Sequence, residues 1–173
     1  MATVKVVKTP EAYPTIDLNK LVQKRATKTR PIWAKHIQNI LCDESVLSKL
    51  LLSTIEADQM LKPASIVCRG EAGDVWQQTP EKLLAKYTVT EIDTEGWLVC
   101  TPKPDNEVYC YVTGEGDPGT LGFSIVARWG EEQANGTFLQ FGNFGDVVCR
   151  SLTDPGDFWI VQRQLFDSTY EVK

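Results

Sequence analysis

Residues 66–89 and 147–172 are two versions of one pattern, and a chain that repeats itself must give both copies the same local structure. With two residues inserted in the second loop, eight positions coincide: Val67/Val148, Cys68/Cys149, Arg69/Arg150, Gly73/Gly156, Asp74/Asp157, Trp76/Trp159, Tyr87/Tyr170 and Val89/Val172. Each copy reads as a hairpin, a short helix and a final strand that opens on the tyrosine. Gly73 and Gly156 stand where a turn needs positive φ or a close backbone approach, and Asp74 and Asp157 can bond the turn's own amides. Trp76 and Trp159 follow two residues on, placed to pack over the short helix against Leu83 and Phe166. In the first copy, Thr79-Pro80-Glu81 supplies a capping hydroxyl and a proline at the first helical position, opening a helix to Lys86. The matching stretch of the second copy is Gln162 to Asp167.

The rest of the chain from Pro63 onward alternates short apolar runs with Gly, Pro, Asp and Asn, which predicts β-strands. They fall at Ser65–Arg69, Asp74–Gln77, Tyr87–Ile92, Trp97–Thr101, Glu107–Val112, Phe123–Arg128, Thr137–Phe141, Asp146–Ser151 and Phe158–Val161. Ahead of them, Pro31 fits a helix N-terminus. Trp33, His36, Ile37, Ile40 and Leu41 then recur at helical spacing, and His36 on that face reads as a hydrogen-bonded core residue rather than a general base. Asp43 reads as the N-cap of a second helix carrying Val46, Leu47, Leu50, Leu51, Ile55 and Met60 on one stripe. The expected fold class is therefore α+β, with an N-terminal helical pair packed on antiparallel β modules that are internally duplicated. Its expected divisions are a basic extended arm (1–30), the helical pair (31–62), a first β module (63–113), a Gly-rich connection (114–122) and a second β module (123–173). The arm offers one edge strand at Val4 to Val7 and a short helix after Thr15.

Charge divides the chain unevenly. Residues 1–35 hold eight basic against two acidic groups, while the chain as a whole is at −5. The acidic remainder repels phosphate, so nucleic acid is an unlikely partner except through the basic arm. No apolar run is long enough to span a membrane, and the opening Met-Ala-Thr-Val-Lys lacks a secretory apolar core, so the expected location is cytoplasmic. The five cysteines, Cys42, Cys68, Cys100, Cys110 and Cys149, contain no Cys-x-x-Cys pair, and His36 is the single histidine. A metal site or other cofactor is not expected, and four of these thiols sit in apolar runs where they act as small core residues. The loop Gly114 to Gly122 is glycine-rich but lacks the Gly-Lys-Ser/Thr ending of a phosphate-binding loop. Phe141-Gly-Asn-Phe-Gly-Asp146 predicts a tight turn or bulge.

The repeats resemble the PGDYG family of small phage and bacterial proteins. The motifs that carry the resemblance are Gly145-Asp-Val-Val-Cys-Arg150, Gly156-Asp-Phe-Trp159 and Phe166-Asp-Ser-Thr-Tyr-Glu171 in the second copy. The first copy contributes Ile66-Val-Cys-Arg-Gly70, Gly73-Asp-Val-Trp76 and Leu84-Ala-Lys-Tyr87. It departs from the family by having Pro63-Ala64-Ser65 where Pro-Gly-Asp would stand, and the second copy lacks the Lys-Pro turn before Phe166. What the resemblance implies is a fold and a phage or bacterial origin, and no particular reaction.

Three functions compete on these residues. A non-enzymatic binding protein would use the repeated Arg69, Arg150, Asp74, Asp157, Trp76 and Trp159, with a protein partner first and a small anionic ligand second. Packed about a pseudo-twofold axis, the modules would then form a shared cleft. The arginines could instead cap their own hairpins. A small enzyme acting on a nucleotide or a modified protein would need Cys68 or Cys149 as nucleophile and Asp74 or Asp157 as acid and base. Nucleic-acid binding would run through Lys24, Arg25, Lys28 and Arg30.

Overall fold

The computed structural model describes residues 8–36, 51–53, 58–60, 62 and 64–173. Two five-stranded antiparallel sheets dominate it, one for each copy of the repeat. The first contains β2 (Ile32–His36), β5 (Ile66–Arg69), β6 (Val75–Gln78), β7 (Tyr87–Ile92) and β8 (Leu98–Pro102), in the order β6-β5-β2-β8-β7. The second contains β1 (Gln23–Lys28), β9 (Glu107–Val112), β13 (Val147–Ser151), β14 (Phe158–Val161) and β15 (Tyr170–Val172), in the order β14-β13-β9-β1-β15. In each module a seven-residue helix crosses from one edge strand to the other: α1 (Pro80–Lys86) in the first, α2 (Arg163–Thr169) in the second. The Thr79 hydroxyl accepts from Lys82 N–H at 3.3 Å to cap α1. Asp146 replaces that cap in the second module, accepting from Arg163 N–H at 3.3 Å and from Asn143 N–H at 3.0 Å.

The strand orders and pairing registers of the two sheets correspond. Opposite Cys68 in β5 stand Ala34 and Trp76; opposite Cys149 in β13 stand Cys110 and Trp159. Cys100 of β8 faces Ile32, as Ala26 of β1 faces Val108. One core accordingly gathers Ile32, Ala34, Ile66, Cys68, Leu83, Tyr87 and Cys100, with Trp76 against it. The other gathers Val108, Cys110, Val147, Cys149, Phe166 and Ala26, with Trp159 and Tyr170 against it. Four cysteines are thus explained as packing, since each fills a small position under a helix or a tryptophan.

The order of strands corrects the expected divisions. In the first module the strand beside Tyr87 is β8, which follows it in sequence; in the second the same place is taken by β1, from the N-terminal arm. The arm is therefore an internal strand, hydrogen-bonded to β9 on one side and β15 on the other. Glu107–Val112, expected in the first module, belongs to the second, so residues 103–106 join the modules. The Gly-rich loop 114–122 lies within the second module, between β9 and β10 (Phe123–Ala127). With β11 (Glu131–Glu132) and β12 (Phe138–Gly142), β10 forms a three-stranded sheet. It covers the second module's outer face, where Phe123 and Ile125 pack on Tyr111, Val148 and Ile160.

The α+β expectation with its helical pair is overturned. Ile32–His36 is a strand, with His36 at its end opposite Ile66, because its neighbours β5 and β8 supply backbone partners on both sides. Leu51–Ser53 (β3) and Asp58–Met60 (β4) pair as an antiparallel hairpin inside what the apolar stripe predicted as the second helix. Strand pairing satisfies the same backbone groups a helix would, and tertiary context overrode the 3.6-residue period. Residues 37–50 and 54–57 of that expectation, with Cys42, and the Val4 to Val7 strand lie outside the described residues. The short helix after Thr15 is a single 3-10 turn at Leu18–Lys20, capped by Asp17.

The second core has no spare room at Ala26, which has no solvent exposure. Ala26→Leu is expected to destabilise by about 1–3 kcal/mol through overpacking. Ala26→Cys, which copies the residue at the equivalent place, is expected to cost clearly less. Urea unfolding monitored by tryptophan fluorescence checks both.

Candidate functional site

The repeated hairpins, helices and final strands turn one side toward each other and leave a cavity of about 420 Å³ between the modules. Trp76 on β6 and Trp159 on β14 line it, as do Tyr87 and Tyr170, the first residues of β7 and β15. Asp74 and Asp157 line it from the turns before the tryptophans, because each turn sits two residues ahead of its indole. The turn in the first module is fixed by Gly73 at φ +82°. Such a cavity is of the size that encloses a small organic molecule, with apolar walls and a few polar groups.

Four lysines line it, Lys28, Lys62, Lys82 and Lys86, and three of them reach aromatic rings or a carboxylate across it. Lys28 ends β1 opposite Tyr170. Its Nζ lies 4.7 Å from the Tyr170 ring centre and 5.9 Å from that of Trp76. Lys86, at the end of α1, holds its Nζ 4.7 Å from the Trp159 ring centre. Lys82, one turn earlier on the same helix face, is ion-paired to Asp157 at 3.3 Å. These contacts cross between modules: Lys82 and Lys86 reach residues of the second, and Lys28 reaches Trp76 of the first.

Burial moves the ionisable groups away from their charged forms. The ammonium groups of Lys28 and Lys86 are pushed below their ordinary value of 10.5, chiefly by desolvation. Lys28 is half-buried as a residue, and its Nζ lies against the Tyr170 and Trp76 rings. Desolvation likewise raises the Asp74 carboxyl, against the opposing pull of Lys28. The hydroxyls of Tyr87 and Tyr170 are raised by burial. Tyr170 also stacks on Phe166 at 4.8 Å, which fixes its ring. One oxygen of Asp74, Oδ1, is buried without a hydrogen-bond partner.

Of the residues singled out from the sequence, the cavity unites Asp74, Asp157, Trp76 and Trp159, and not the arginines. Arg69 and Arg150 point from the other face of their strands, because β residues alternate sides and Cys68 and Cys149 take the inner one. Arg69 lies 4.6 Å from the Trp97 ring centre and 5.7 Å from that of Trp33. Arg150 lies 4.9 Å from Tyr109 and donates to Gln23 Oε1 at 3.1 Å. The arginines are therefore stacked on aromatic rings rather than aimed at a shared ligand or their own hairpins. Asp157 pairs with Lys82, and it is Asp154 that accepts from the turn amide of Gly156, at 3.3 Å.

Cys68 and Cys149, the candidate nucleophiles, have no solvent exposure. Burial pushes the Cys68 thiol up to about 12, and Gln78 donates to its sulfur at 3.2 Å. A thiol so placed is neither ionised at neutral pH nor reachable. Among the described residues no group of His, Cys, Asp and Glu is arranged to hold a metal ion, and no helix is long and apolar enough to cross a membrane.

Sequence reasoning missed Lys28, Lys82, Lys86 and Asn106. Lys82 and Lys86 carried a usable signal, four residues apart on one face of a well-capped helix. Lys28 carried none, since it stood in a basic run that reads as solvated. Comparisons of the chain with protein families, with curated proteins and with solved structures found no match.

Two outcomes follow from these environments. Native protein treated with an alkylating agent at neutral pH should leave Cys68, Cys100, Cys110 and Cys149 unmodified in peptide mapping, and denaturant should expose all four. The lysines act on stability in the opposite sense to a salt bridge. Their pKa is lower folded than unfolded, so the unfolded chain binds more protons and their contribution rises with pH in the window below 10.5. Lys28→Met/Lys86→Met should flatten that rise and lift the urea midpoint at neutral pH.

Proposed function

We propose that the protein is a non-enzymatic binding protein whose inter-module cavity takes a small organic anion with a flat apolar body. The observation that carries this reading is the enclosure of Lys28 and Lys86 against aromatic rings in one cavity. Keeping two ammonium groups there costs folding free energy, and an incoming anion offsets that cost by restoring the charged state. Trp76, Trp159, Tyr87 and Tyr170 supply broad faces for a planar body, while the lysines supply charge-assisted hydrogen bonds to its acid. A small molecule is favoured over the protein partner expected from the sequence because the repeated tryptophans, tyrosines and aspartates line one concave cavity between the modules rather than an outward face. The same cavity holds no reachable thiol, which weighs against the enzyme alternative built on Cys68 or Cys149.

A fluorescent naphthalene sulfonate, 1-anilinonaphthalene-8-sulfonate, combines a flat body with one anion and serves as probe. One saturable site is expected on the wild type, with affinity lowered by about tenfold or more in Lys28→Met/Lys86→Met, as for loss of charged hydrogen bonds. Arg69→Ala/Arg150→Ala should leave it within a few-fold. Equal binding by the lysine variant, or several weak sites in all proteins, would sink the reading.

A further inference from the structure

Lys28 differs from the other lysines of the cavity in what surrounds its nitrogen. Lys82 is ion-paired to Asp157, and Lys86 neighbours that same carboxylate. Among the described residues no carboxylate lies within ion-pair distance of Lys28 Nζ, which rests against the rings of Tyr170 and Trp76. The carboxyl that acts on it most strongly is Asp74, whose Oδ1 is buried and without a hydrogen-bond partner. Lys86 adds a second positive charge nearby. An enclosed amine beside another cation and an uncommitted carboxyl is the setting in which a lysine becomes a nucleophile toward carbonyl carbon. The equivalent place in the first module is Pro102, opposite Tyr87, so this amine has no counterpart across the pseudo-twofold.

We propose that Lys28 captures an aromatic or otherwise flat aldehyde bearing an anionic group, holding it in the cavity as a reversible imine. The inference rests on the reading of the cavity as a binding site. The lone pair of the Lys28 amine attacks the carbonyl carbon, and the C=O π pair moves to oxygen. Asp74 relays a proton from nitrogen to that oxygen, giving the carbinolamine. It then protonates the hydroxyl, which departs as water while the nitrogen pair forms C=N, and it recovers a proton from nitrogen. One C=O is lost, one C=N and one water are formed, and no oxidant or reductant is needed. Burial drives the amine toward its neutral, nucleophilic form and the Asp74 carboxyl toward its protonated form, the two states that the addition and the loss of water require. The anionic group of the aldehyde lies toward Lys86.

The test is reductive trapping of the full chain with 4-formylbenzoate and cyanoborohydride near neutral pH, read by intact mass and peptide mapping. One adduct is expected, on the peptide holding Lys28, with Lys20 and Lys24, exposed and outside the cavity, labelled several-fold less. Excess terephthalate should protect Lys28, and Lys28→Arg should lose the adduct while keeping its circular dichroism spectrum. Asp74→Asn should slow labelling without moving it elsewhere. Label spread evenly over exposed lysines, confined to Lys86, or absent from Lys28 would overturn the proposal. If the naphthalene sulfonate binds in a lysine-dependent way and Lys28 stays unlabelled, the imine falls and the binding site stands. If neither occurs, both fall.

Discussion

The pairing of β1 with β9 on one side and β15 on the other is the contact on which the rest of the molecule depends. Without it the second sheet would be two pieces, with unpaired backbone groups along both new edges. The strand fills that gap with a small side chain, Ala26, where the first module uses Cys100. It also carries Lys28, a residue of the second module, to 5.9 Å from the Trp76 ring centre of the first. One ladder of backbone hydrogen bonds thus completes a core and charges a cavity.

The cavity has nearly symmetric walls and an asymmetric charge. Tryptophans, tyrosines and aspartates come in equivalent pairs, each explained by a turn or a helix that both copies need. The lysines do not: Lys28, Lys82 and Lys86 correspond to Pro102, Leu165 and Thr169 in the other copy. Features shared by the repeats therefore build the enclosure, and features that differ between them give it a preferred sign. The buried lysines are also where the protein gives up stability, which is how binding sites commonly differ from cores.

Much of this was legible in the residues. The nine strands expected after Pro63 and both short helices form within a residue or two of the expected limits, because local turn chemistry and β-branched runs agreed with the final pairing. Thr79 and Pro80 open α1 as their chemistry demands. The region around Trp33 failed because an apolar stripe does not distinguish a helix from strands whose partners lie far away in sequence. The role of β1 was illegible for a related reason: Gln23–Lys28 has almost no apolar content, and only its neighbours make it a central strand. Arg69 and Arg150 lie outside the cavity because alternation along the strand sends them to the opposite face from Cys68 and Cys149, a consequence of register that repetition alone does not reveal.

The placement of β1 also sets an order on assembly as the chain leaves the ribosome. The first module's strands β5 to β8 follow one another closely, and β2 lies not far ahead, so that sheet can close while the second is still being made. β1 precedes every strand it joins, and its partner β15 is the last of the described strands. The earliest described strand must stay unpaired on that side until β15 has been made, a delay that its Lys24, Arg25 and Lys28 suit well, since charged, apolar-poor segments resist premature pairing. The basic character of the arm thus serves the nascent chain, keeping a strand soluble until its place exists.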